Sequence, residues 1–244
     1  AHEEGLRPVD VILTSAQNHQ AIKDLIEKIE KLRKGRDVYV VGVTNVGKST
    51  LINAIIKEIT GEKDIITTSR FPGTTLDKIE IPLDDGSYIF DTPGIIHRHQ
   101  MAHYLGDKNL KYISPKKEIK PKTYQLNPEQ TLFLAGLGRF DFISGDKQGF
   151  TAYFDNNLKL HRTKLAGADV FYDKHVGSLL TPPSDKELAE FPKLVRHEFT
   201  IKDKMDVVYS GLGWIRIKAS QANPVKIAAW APEGVAVLLR KALI

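Results

Sequence analysis

The first half of the chain alternates short apolar runs with apolar patterns of helical spacing. Residues 9–15 (VDVILTS) and 38–41 (VYVV) are apolar runs that predict buried strands. Between them, apolar residues recur every three or four positions and predict a helix that ends at Gly35. A second helix is predicted for residues 48–59, and a hairpin turn for 84–86. This alternation predicts an α/β domain with a mainly parallel sheet.

The pattern changes in the middle of the chain. Residues 100–128 show no sustained periodicity, so we expect a short helix and then a connector. From residue 131 onward, many short runs rich in β-branched and aromatic residues predict strands. Two helices are expected to interrupt them, one at 168–180 and a shorter one from Ser184, where Glu187 completes a capping box. The second half is therefore predicted to be a smaller β-rich α+β domain.

Length and composition allow two modest cores. The chain has 244 residues, of which 41% are hydrophobic, and this size favours one or two domains. We expect an α/β domain at 1–106, a basic connector at 107–130 and the β-rich domain at 131–244. The absence of cysteine excludes disulfides and thiolate metal sites from these residues.

The sequence contains no membrane or export signal that we recognise. No apolar run approaches the roughly 18 residues that a membrane-spanning helix needs, and the first residues lack a signal-peptide hydrophobic region. We therefore expect a cytoplasmic protein without a membrane partner. The sequence begins with Ala1 rather than methionine, which is consistent with a fragment or a processed form. The oligomeric state is left open.

Positive charge is concentrated in the second half. The whole chain has a net charge of +5. Residues 1–96 hold 12 basic and 15 acidic side chains, a net charge of −3, whereas residues 97–244 hold 23 and 15, a net charge of +8. This asymmetry indicates a polyanionic partner such as nucleic acid, although a solvated basic surface explains it equally well.

One loop has the sequence of a phosphate cradle. GVTNVGKS at 42–49 fits G-x-x-x-x-G-K-S and lies between a predicted strand and a predicted helix. Backbone N–H groups and the positive end of the helix can surround a β-phosphate there. Lys48 is suited to neutralise the β- and γ-oxygens, and Ser49 to offer its hydroxyl to Mg²⁺. The nucleotide-binding residues predicted in this loop are Thr44, Asn45, Val46, Gly47, Lys48, Ser49 and Thr50.

Two further motifs suggest a nucleotide switch. YIFDTPG is an apolar strand that ends in Asp91, a second ligand for Mg²⁺, and the N–H of Gly94 can sense a γ-phosphate. TTSRFPGTTLD at 67–77 can fold over the nucleotide and bring the hydroxyl of Thr75, or less favourably of Thr74, to Mg²⁺. In isolation each motif is more often an ordinary surface turn. Their positions after the phosphate loop favour the switch.

These motifs resemble those of translation-factor-type GTPases, but their order differs. That family ends with an Asn-Lys-x-Asp guanine reader and then a Ser-Ala motif, and no N-K-x-D occurs in this chain. Ser15-Ala16, followed by Gln17, instead precedes the phosphate loop. This order resembles the circularly permuted GTPases, and FPGTTLD, DTPGI, HQMAH and GLGW resemble the YqeH type among them. The resemblance implies a circularly permuted Ras-like P-loop GTPase domain followed by the smaller β-rich domain.

The YqeH type is associated with assembly of the small ribosomal subunit. The resemblance therefore implies GTP and GDP as ligands, Mg²⁺ as cofactor, and the small subunit or its ribosomal RNA as partner. It also implies nucleotide contacts from Ser15, Ala16 and Gln17. YqeH-type proteins carry a cysteine-rich zinc-binding segment and the Asn-Lys-x-Asp motif near the N-terminus. Neither occurs in this sequence, so we expect no zinc on these residues.

Hydrolysis has to proceed without the glutamine that many GTPases place after D-x-x-G. Ile95 occupies that position, and its side chain cannot hold a water. In related potassium-dependent GTPases, an asparagine at the position of Asn45 binds a monovalent cation beside the phosphates. The resemblance thus implies K⁺-stimulated hydrolysis, with Asn45 and carbonyls of residues 69–73 as ligands. The alternative is an asparagine that merely suits a tight turn. The predicted catalytic residues are Lys48, Asn45, Thr75 and Gly94.

A lysine-rich stretch with interspersed tyrosines follows the switch motifs. Lysines suit phosphates and tyrosines suit stacked bases, a combination typical of single-stranded RNA binding. The sequence alone slightly favours a solvated linker, whereas the resemblance to ribosome-assembly GTPases favours RNA. The predicted RNA contacts are Lys108, Lys111, Lys116, Lys117, Lys120 and Lys122, among Tyr104, Tyr112 and Tyr124.

Two functions therefore remain open at the level of the sequence. The first is a GTP-hydrolysing switch in assembly of the small ribosomal subunit, with the β-rich domain recognising RNA or ribosomal protein. The alternative is a regulatory module that senses GTP or GDP, hydrolyses little and binds a protein partner through its second domain. Ile95 favours the alternative, and Asn45 favours hydrolysis.

Overall fold

The computed structural model describes residues 7–42, 47–60, 79–83, 85–91, 99–106, 108–115 and 117–243. The chain divides into two units, Ala1–Ile95 and Ile96–Ile244. The first unit contains helices α1 (His19–Arg33) and α2 (Lys48–Thr60) and strands β1 (Val38–Val40), β2 (Ile79–Pro82) and β3 (Tyr88–Asp91).

Helix α1 is capped at its start and ends where its sequence predicts. The Asn18 side chain accepts a hydrogen bond from the Ala21 N–H at 3.1 Å, which satisfies one free donor of the first turn. Lys34 and Gly35 then adopt left-handed conformations, with φ angles of 49° and 73°, and stop the helix. The end predicted at Gly35 is confirmed.

The sheet of the first unit has β3 between β1 and β2. Strand β1 runs parallel to β3, and β2 runs antiparallel to it, so that Asp91 pairs with Val40 at the end of β1. Each fully buried isoleucine contributes ~1.5–3 kcal/mol to holding the helices on this sheet. The buried residues of this core are Ile22, Leu25, Ile52, Ile55, Ile56, Ile81 and Ile89. The end of β3 is thereby held beside the strand that leads into the phosphate loop.

The strand predicted for residues 9–15 is not present. Val9, Val11 and Leu13 are 86%, 75% and 100% exposed, and the segment has an irregular backbone. A strand needs a neighbour for its backbone hydrogen bonds, and no described strand pairs with this segment. The prediction is therefore wrong, because an apolar run alone does not supply a partner.

The second unit is mostly β-structure. Its strands are β4 (Lys122–Leu126), β5 (Gln130–Leu134), β6 (Arg139–Ser144), β7 (Gln148–Phe154), β8 (Leu160–Lys164), β9 (Val176–Gly177), β10 (Leu180–Ser184), β11 (Leu194–Ile201), β12 (Met205–Tyr209), β13 (Gly213–Ile217), β14 (Val225–Pro232) and β15 (Val237–Lys241). Its helices are α3 (Ala168–His175) and two short 3-10 helices, Met101–Tyr104 and Leu110–Tyr112.

Two five-stranded antiparallel sheets share one core. Their strand orders are β11-β14-β6-β5-β8 and β15-β12-β13-β7-β4. Residues 131–134 of β5 and 139–142 of β6 are buried in succession, so both faces of these two strands are covered. Phe150 packs edge-on against Phe140 and Phe142, with ring centroids 5.1 and 4.9 Å apart. Such aromatic pairs add ~0.5–1.5 kcal/mol to their burial.

Residues 99–126 contribute to the second core, although the sequence suggested a short helix and a connector. Met101, Leu110 and Leu126 are fully buried in that core. Strand β4 lies within the expected connector and pairs with β7. The division between the units accordingly falls at Ile95 rather than at the boundary of 106 drawn from the sequence. Isolated apolar residues show no periodicity, so their burial depends on partners that are distant in sequence.

The helices expected between the strands are shorter than predicted. Helix α3 ends at His175 rather than near residue 180, because Val176 is extended and begins the β9–β10 pair. The capping box at Ser184 does form, since the Glu187 Oε2 accepts hydrogen bonds from Ser184 N and Oγ at 2.8 and 2.7 Å. Only turns follow it. A cap cannot sustain so short a helix without further packing.

Candidate nucleotide site

The phosphate loop leads directly into the positive end of a helix. Gly47 has a φ of +87°, a conformation that favours glycine, and its carbonyl accepts the Leu51 N–H at 2.9 Å. Helix α2 begins at the next residue, Lys48. The N–H groups of its first turn lack partners in the helix and point towards the loop, as an anion site requires.

A cavity of about 410 Å³ lies at this helix end. This volume falls in the range of small-ligand sites, ~300–1,000 Å³. Residues from three separate parts of the chain line it: Thr14, Ala16, Val40, Val41, Gly47, Lys48, Thr50 and Leu51. The Ser-Ala segment that precedes the phosphate loop in sequence therefore lies beside it in space.

The Ser-Ala segment is itself a tight turn. The Ser15 carbonyl accepts the Asn18 N–H at 3.0 Å, and the Ser15 hydroxyl accepts the Gln17 N–H at 3.4 Å. Ala16 lines both the phosphate-loop cavity and a neighbouring cavity of about 220 Å³, and Gln17 lines only the neighbouring one. Ser15 is exposed and lines neither.

Lys48 and Asp91 form an ion pair inside the site. The Lys48 Nζ donates to the Asp91 Oδ1, and the two side chains are only 7% and 0% exposed. Asp91 Oδ2 is buried and has no hydrogen-bond partner in the described structure. A buried carboxylate oxygen without a partner is costly, so this atom is suited to bind an additional cation. A hydroxyl in the first turn of α2 and this carboxylate are oxygen donors of the kind that Mg²⁺ prefers.

Several residues predicted from the sequence lie outside the described residues: Thr44, Asn45, Val46, Thr74, Thr75, Gly94 and Lys116. The described members of the loop set are Gly47, Lys48, Ser49 and Thr50. Gly47, Lys48 and Thr50 line the cavity, and Ser49 lies in the first turn of α2. The remaining predicted lysines belong to the second unit, where all are exposed: Lys108, Lys111, Lys117, Lys120 and Lys122.

Thr14 lines the cavity although the sequence did not single it out. Little in the sequence indicated this position, because Thr14 is marked only by lying next to Ser15 in an apolar run. Val40, Val41 and Leu51 also line the cavity as its apolar wall. They were expected only to be structural residues.

Neither a metal cluster nor a membrane span is evident in the described ranges. Among these residues, no three His, Cys, Asp or Glu side chains are grouped so that they could hold a metal ion. The helices described here are too short or too polar to cross a bilayer.

Two protein families match consecutive parts of the chain. Residues 37–126 match the family described as 50S ribosome-binding GTPase. Residues 147–243 match the family described as YqeH-like, C-terminal. Protein YqeH of Bacillus subtilis (strain 168) is 60% identical over 245 residues, an alignment that covers 100% of this chain and 66% of the relative. The chain belongs to the YqeH-type GTPases. The permuted order of its motifs, with Ser15-Ala16 ahead of the phosphate loop, is the order expected in this family.

More distant relatives share the same region. NO-associated protein 1, chloroplastic/mitochondrial, of Arabidopsis thaliana is 33% identical over 247 residues, which cover 87% of this chain and 44% of that protein. The tRNA modification GTPase MnmE of Anaplasma phagocytophilum (strain HZ) is 29% identical over 173 residues, which cover 67% of this chain and 37% of the relative. This YqeH-type chain thus spans between 37% and 66% of the length of these three relatives.

Proposed function

We propose that this chain is the GTP-binding and GTP-hydrolysing part of a switch in assembly of the small ribosomal subunit. The observation that carries the proposal is the Lys48–Asp91 pair at the phosphate-loop cavity, with one Asp91 oxygen left unpaired. A lysine at the start of a helix and a buried carboxylate at the end of a strand are protein groups that phosphoryl transfer from GTP requires. The β-rich unit recognises RNA or ribosomal protein.

Lys48 has a different partner at each stage of the cycle in this proposal. Without nucleotide its ammonium neutralises Asp91; with nucleotide it leaves the carboxylate and binds β- and γ-phosphate oxygens. Helix α2 contributes the positive end of its dipole to the same phosphates. Ser49, Thr75 and Asp91 would hold Mg²⁺, which when bound stabilises the negative charge that develops on the phosphate oxygens. Asp91 thus remains compensated in both states.

The proposed guanine specificity rests on family membership. The chain itself contains no Asn-Lys-x-Asp motif that would read the base. We expect the fluorescent analogue mant-GDP to bind and to be displaced by GTP and GDP more effectively than by ATP. A weak preference for guanine in this chain, and a strong one in a longer chain that includes the motif, would still support the proposal. Equal displacement by ATP in the longer chain would contradict it.

Potassium dependence centres on Asn45, which lies outside the described residues. We expect turnover in K⁺ to exceed that in Na⁺ about tenfold or more, since an arginine finger beside the phosphates is worth ~10³–10⁵ in rate. Asn45→Ala should remove this difference while GTP still binds. Asn127→Ala, an exposed asparagine of the second unit, is the control. Equal turnover in the two salts would disprove the potassium site.

The β-rich unit begins immediately after the nucleotide-sensing segment. Only residues 92–98 separate Asp91 from His99, whose carbonyl accepts the Ala236 N–H at 3.1 Å. The Met101 N–H likewise donates to the Ser210 carbonyl at 3.0 Å. This anchoring supports a switch in which reordering after Asp91 is transmitted to the β-rich unit with little slack.

The ribosomal partner is tested by co-sedimentation with purified subunits. We expect the chain to sediment with the small subunit when bound to a non-hydrolysable GTP analogue and to be released with GDP. The matching family's description names the 50S subunit, so the large subunit is the necessary comparison. Preferential binding to the large subunit would refute the choice of subunit, and binding to neither would refute the ribosomal role.

A second candidate function is a GTP- or GDP-sensing module with little hydrolysis. Ile95 supports it, because its side chain cannot orient the attacking water as a glutamine does. Single-turnover hydrolysis in K⁺ with small subunits present distinguishes the two functions. The sensing module predicts that bound GTP persists under those conditions, whereas the switch predicts that it is hydrolysed.

A further inference from the structure

A cleft of about 810 Å³ opens on the second unit, far along the chain from the phosphate loop. Strands β4 and β8, which border it, are end strands of different sheets, so their outer edges have no strand neighbour in the described sheets. The loop between β7 and β8 forms its floor with the short 3-10 helix Leu110–Tyr112. Arg162 on β8 donates to the Gln125 carbonyl on β4 at 3.2 Å and holds the two edges together.

The cleft is basic. Lys111, Lys122, Lys159 and His161 line it, and no aspartate or glutamate among the described residues does. The three lysines are exposed, and within the described part of the chain none of them forms a salt bridge. Three unneutralised ammonium groups around one concave surface attract an anion strongly, because the walls of a cleft focus the field.

Aromatic and amide groups accompany these charges. Tyr112 and Tyr124 line the cleft, and the Lys111 Nζ lies 5.0 Å from the centre of the Tyr112 ring. Within the described residues, neither tyrosine hydroxyl makes a hydrogen bond. Partial burial raises the pKa of the Tyr124 phenol, so the hydroxyl stays neutral and can donate to a ligand. Two rings with free hydroxyls offer both stacking surfaces and hydrogen bonds.

The floor of the cleft is held rigidly. The Asp155 Oδ1 accepts the Asn157 N–H at 2.8 Å and the Asn157 side-chain amide at 3.0 Å. Asn156 accepts the Lys120 N–H at 2.8 Å and donates to the Glu118 carbonyl at 2.9 Å, which links this loop to the segment before β4. A binding site formed in advance loses less entropy when its ligand binds.

We propose that this cleft binds one or two unpaired nucleotides of single-stranded RNA, with phosphates on Lys111, Lys122 and Lys159 and a base stacked on Tyr112 or Tyr124. The inference rests on the proposed function, in which the β-rich unit recognises RNA, and it names the surface that does so. Stacking on aromatic rings beside lysines is the usual chemistry of single-strand binding.

The size and composition of the cleft favour this ligand over two others. Proteins that bind duplex RNA recognise its shape over about 16 base pairs. A cleft of small-molecule size is too small for such a contact. Acidic peptides are recognised best by the planar fork of arginine, and no arginine lines the cleft. Lysine, in contrast, binds phosphate as a point charge.

The test is the affinity of the full 244-residue chain for a fluorescein-labelled eight-nucleotide RNA without secondary structure, measured by anisotropy in 50–200 mM KCl. We expect Lys122→Ala/Lys159→Ala to weaken binding about tenfold or more in 50 mM KCl. It should also reduce the salt slope by about 1.4, or ~0.7 for each phosphate contact in a single strand. Tyr124→Leu should weaken binding about 5- to 150-fold, the range measured for loss of one stacked base.

The matched control is Lys202→Ala/Lys204→Ala. These lysines are also exposed, but they follow β11, at the end of its sheet opposite to β8. The control should bind like the unaltered chain, and unchanged thermal unfolding will establish that each variant is folded. An equal loss of RNA affinity in the cleft and control variants would refute the cleft as the binding site. The RNA-binding function of the unit would still stand.

Two further results would be decisive. If the unaltered chain does not bind the RNA even in 50 mM KCl, the proposed RNA-binding function fails together with the cleft. If a duplex or polyglutamate competes as well as the single strand at equal charge concentration, the cleft is a general anion site and the proposal is refuted.

Discussion

The Lys48–Asp91 pair links the stability of the nucleotide-free first unit to the proposed binding of nucleotide. Both side chains are almost fully buried, so the Asp91 carboxylate depends on the Lys48 ammonium for its charge to be tolerated. Removing one member of a buried pair costs ~3–5 kcal/mol, because the remaining charge has no compensation. The same two residues are those that nucleotide and Mg²⁺ would engage. Stability without nucleotide and binding of nucleotide are therefore coupled at this site.

This coupling predicts a specific pattern of variants. Lys48→Met should destabilise the nucleotide-free first unit by ~3 kcal/mol or more and abolish mant-GDP binding. The double variant Lys48→Met/Asp91→Asn should recover much of the stability, since no buried charge remains, but none of the binding. Urea unfolding and mant-GDP fluorescence measure the two properties. Recovery of nucleotide binding in the double variant would contradict the role given to Lys48.

At the scale of elements, one carboxylate adds hydrogen bonds between the segment that follows the switch motifs and the turn after β10. Glu187 accepts hydrogen bonds from Ser184, from the Asn109 side chain and from the Gly106 backbone. Burial opposes ionisation, but these bonds outweigh it and lower the pKa of Glu187. The carboxylate thus joins the 3-10 segment to the turn after β10. The strength of these hydrogen bonds depends on the negative charge of the carboxylate.

The pH dependence of this attachment follows from the sign of the shift. Because the pKa of Glu187 is lower in the folded chain than its usual value of 4.5, its stabilisation is present above about pH 4.5. It is lost as the pH falls through the lower, folded pKa. Glu187→Gln should cost about 1 kcal/mol at pH 7, less than the ~1.5–3 kcal/mol of bonds to a charged group, since solvent screens this partly exposed carboxylate.

Urea unfolding of the second unit at pH 7 and pH 3.5 tests this. The difference between Glu187→Gln and the unaltered chain should shrink at the lower pH. Glu190→Gln, an exposed glutamate three residues away, is the control and should have no effect at either pH. A constant difference between Glu187→Gln and the unaltered chain at both pH values would rule out a charge-dependent bond.

At the scale of the whole molecule, the two units divide the chemistry between them. The acidic first half contains the phosphate loop, and the basic second half contains the cleft. Residues 92–98 are the covalent path between Asp91 and the part of the chain anchored at His99. A nucleotide signal that travels along the chain must pass through this short stretch. Its length, more than its composition, should determine the coupling.

Lengthening the path should uncouple the units. We expect insertion of Gly-Ser-Gly-Ser between Ile95 and Ile96 to leave GTP affinity within about twofold, since a short flexible insertion adds little loop entropy. The difference in subunit affinity between the GTP-analogue and GDP states should be lost. The same insertion between Asp146 and Lys147, an exposed turn, should preserve it. Persistence of the nucleotide effect after the first insertion would argue against transmission along the chain.

Features that depend on neighbours along the chain were predictable from the amino-acid sequence. The phosphate loop, the strand ending in Asp91, the end of α1 at Gly35 and the β-rich character of the second half were all predicted from it. Glycine placement, helix capping and residue periodicity act within a few residues, so they can be recognised without a fold. Family membership was likewise recognised from short motifs and their unusual order.

Features that depend on distant partners emerged only in the folded structure. It left residues 9–15 without a strand neighbour and buried Met101 and Leu126 in the second core. It also gathered Lys111, Lys122 and Lys159, together with two tyrosines, around one cleft, whereas the sequence suggested an undivided lysine-rich stretch. Pairing of strands and convergence of charges from separate segments follow from chain topology, which residue patterns do not encode locally.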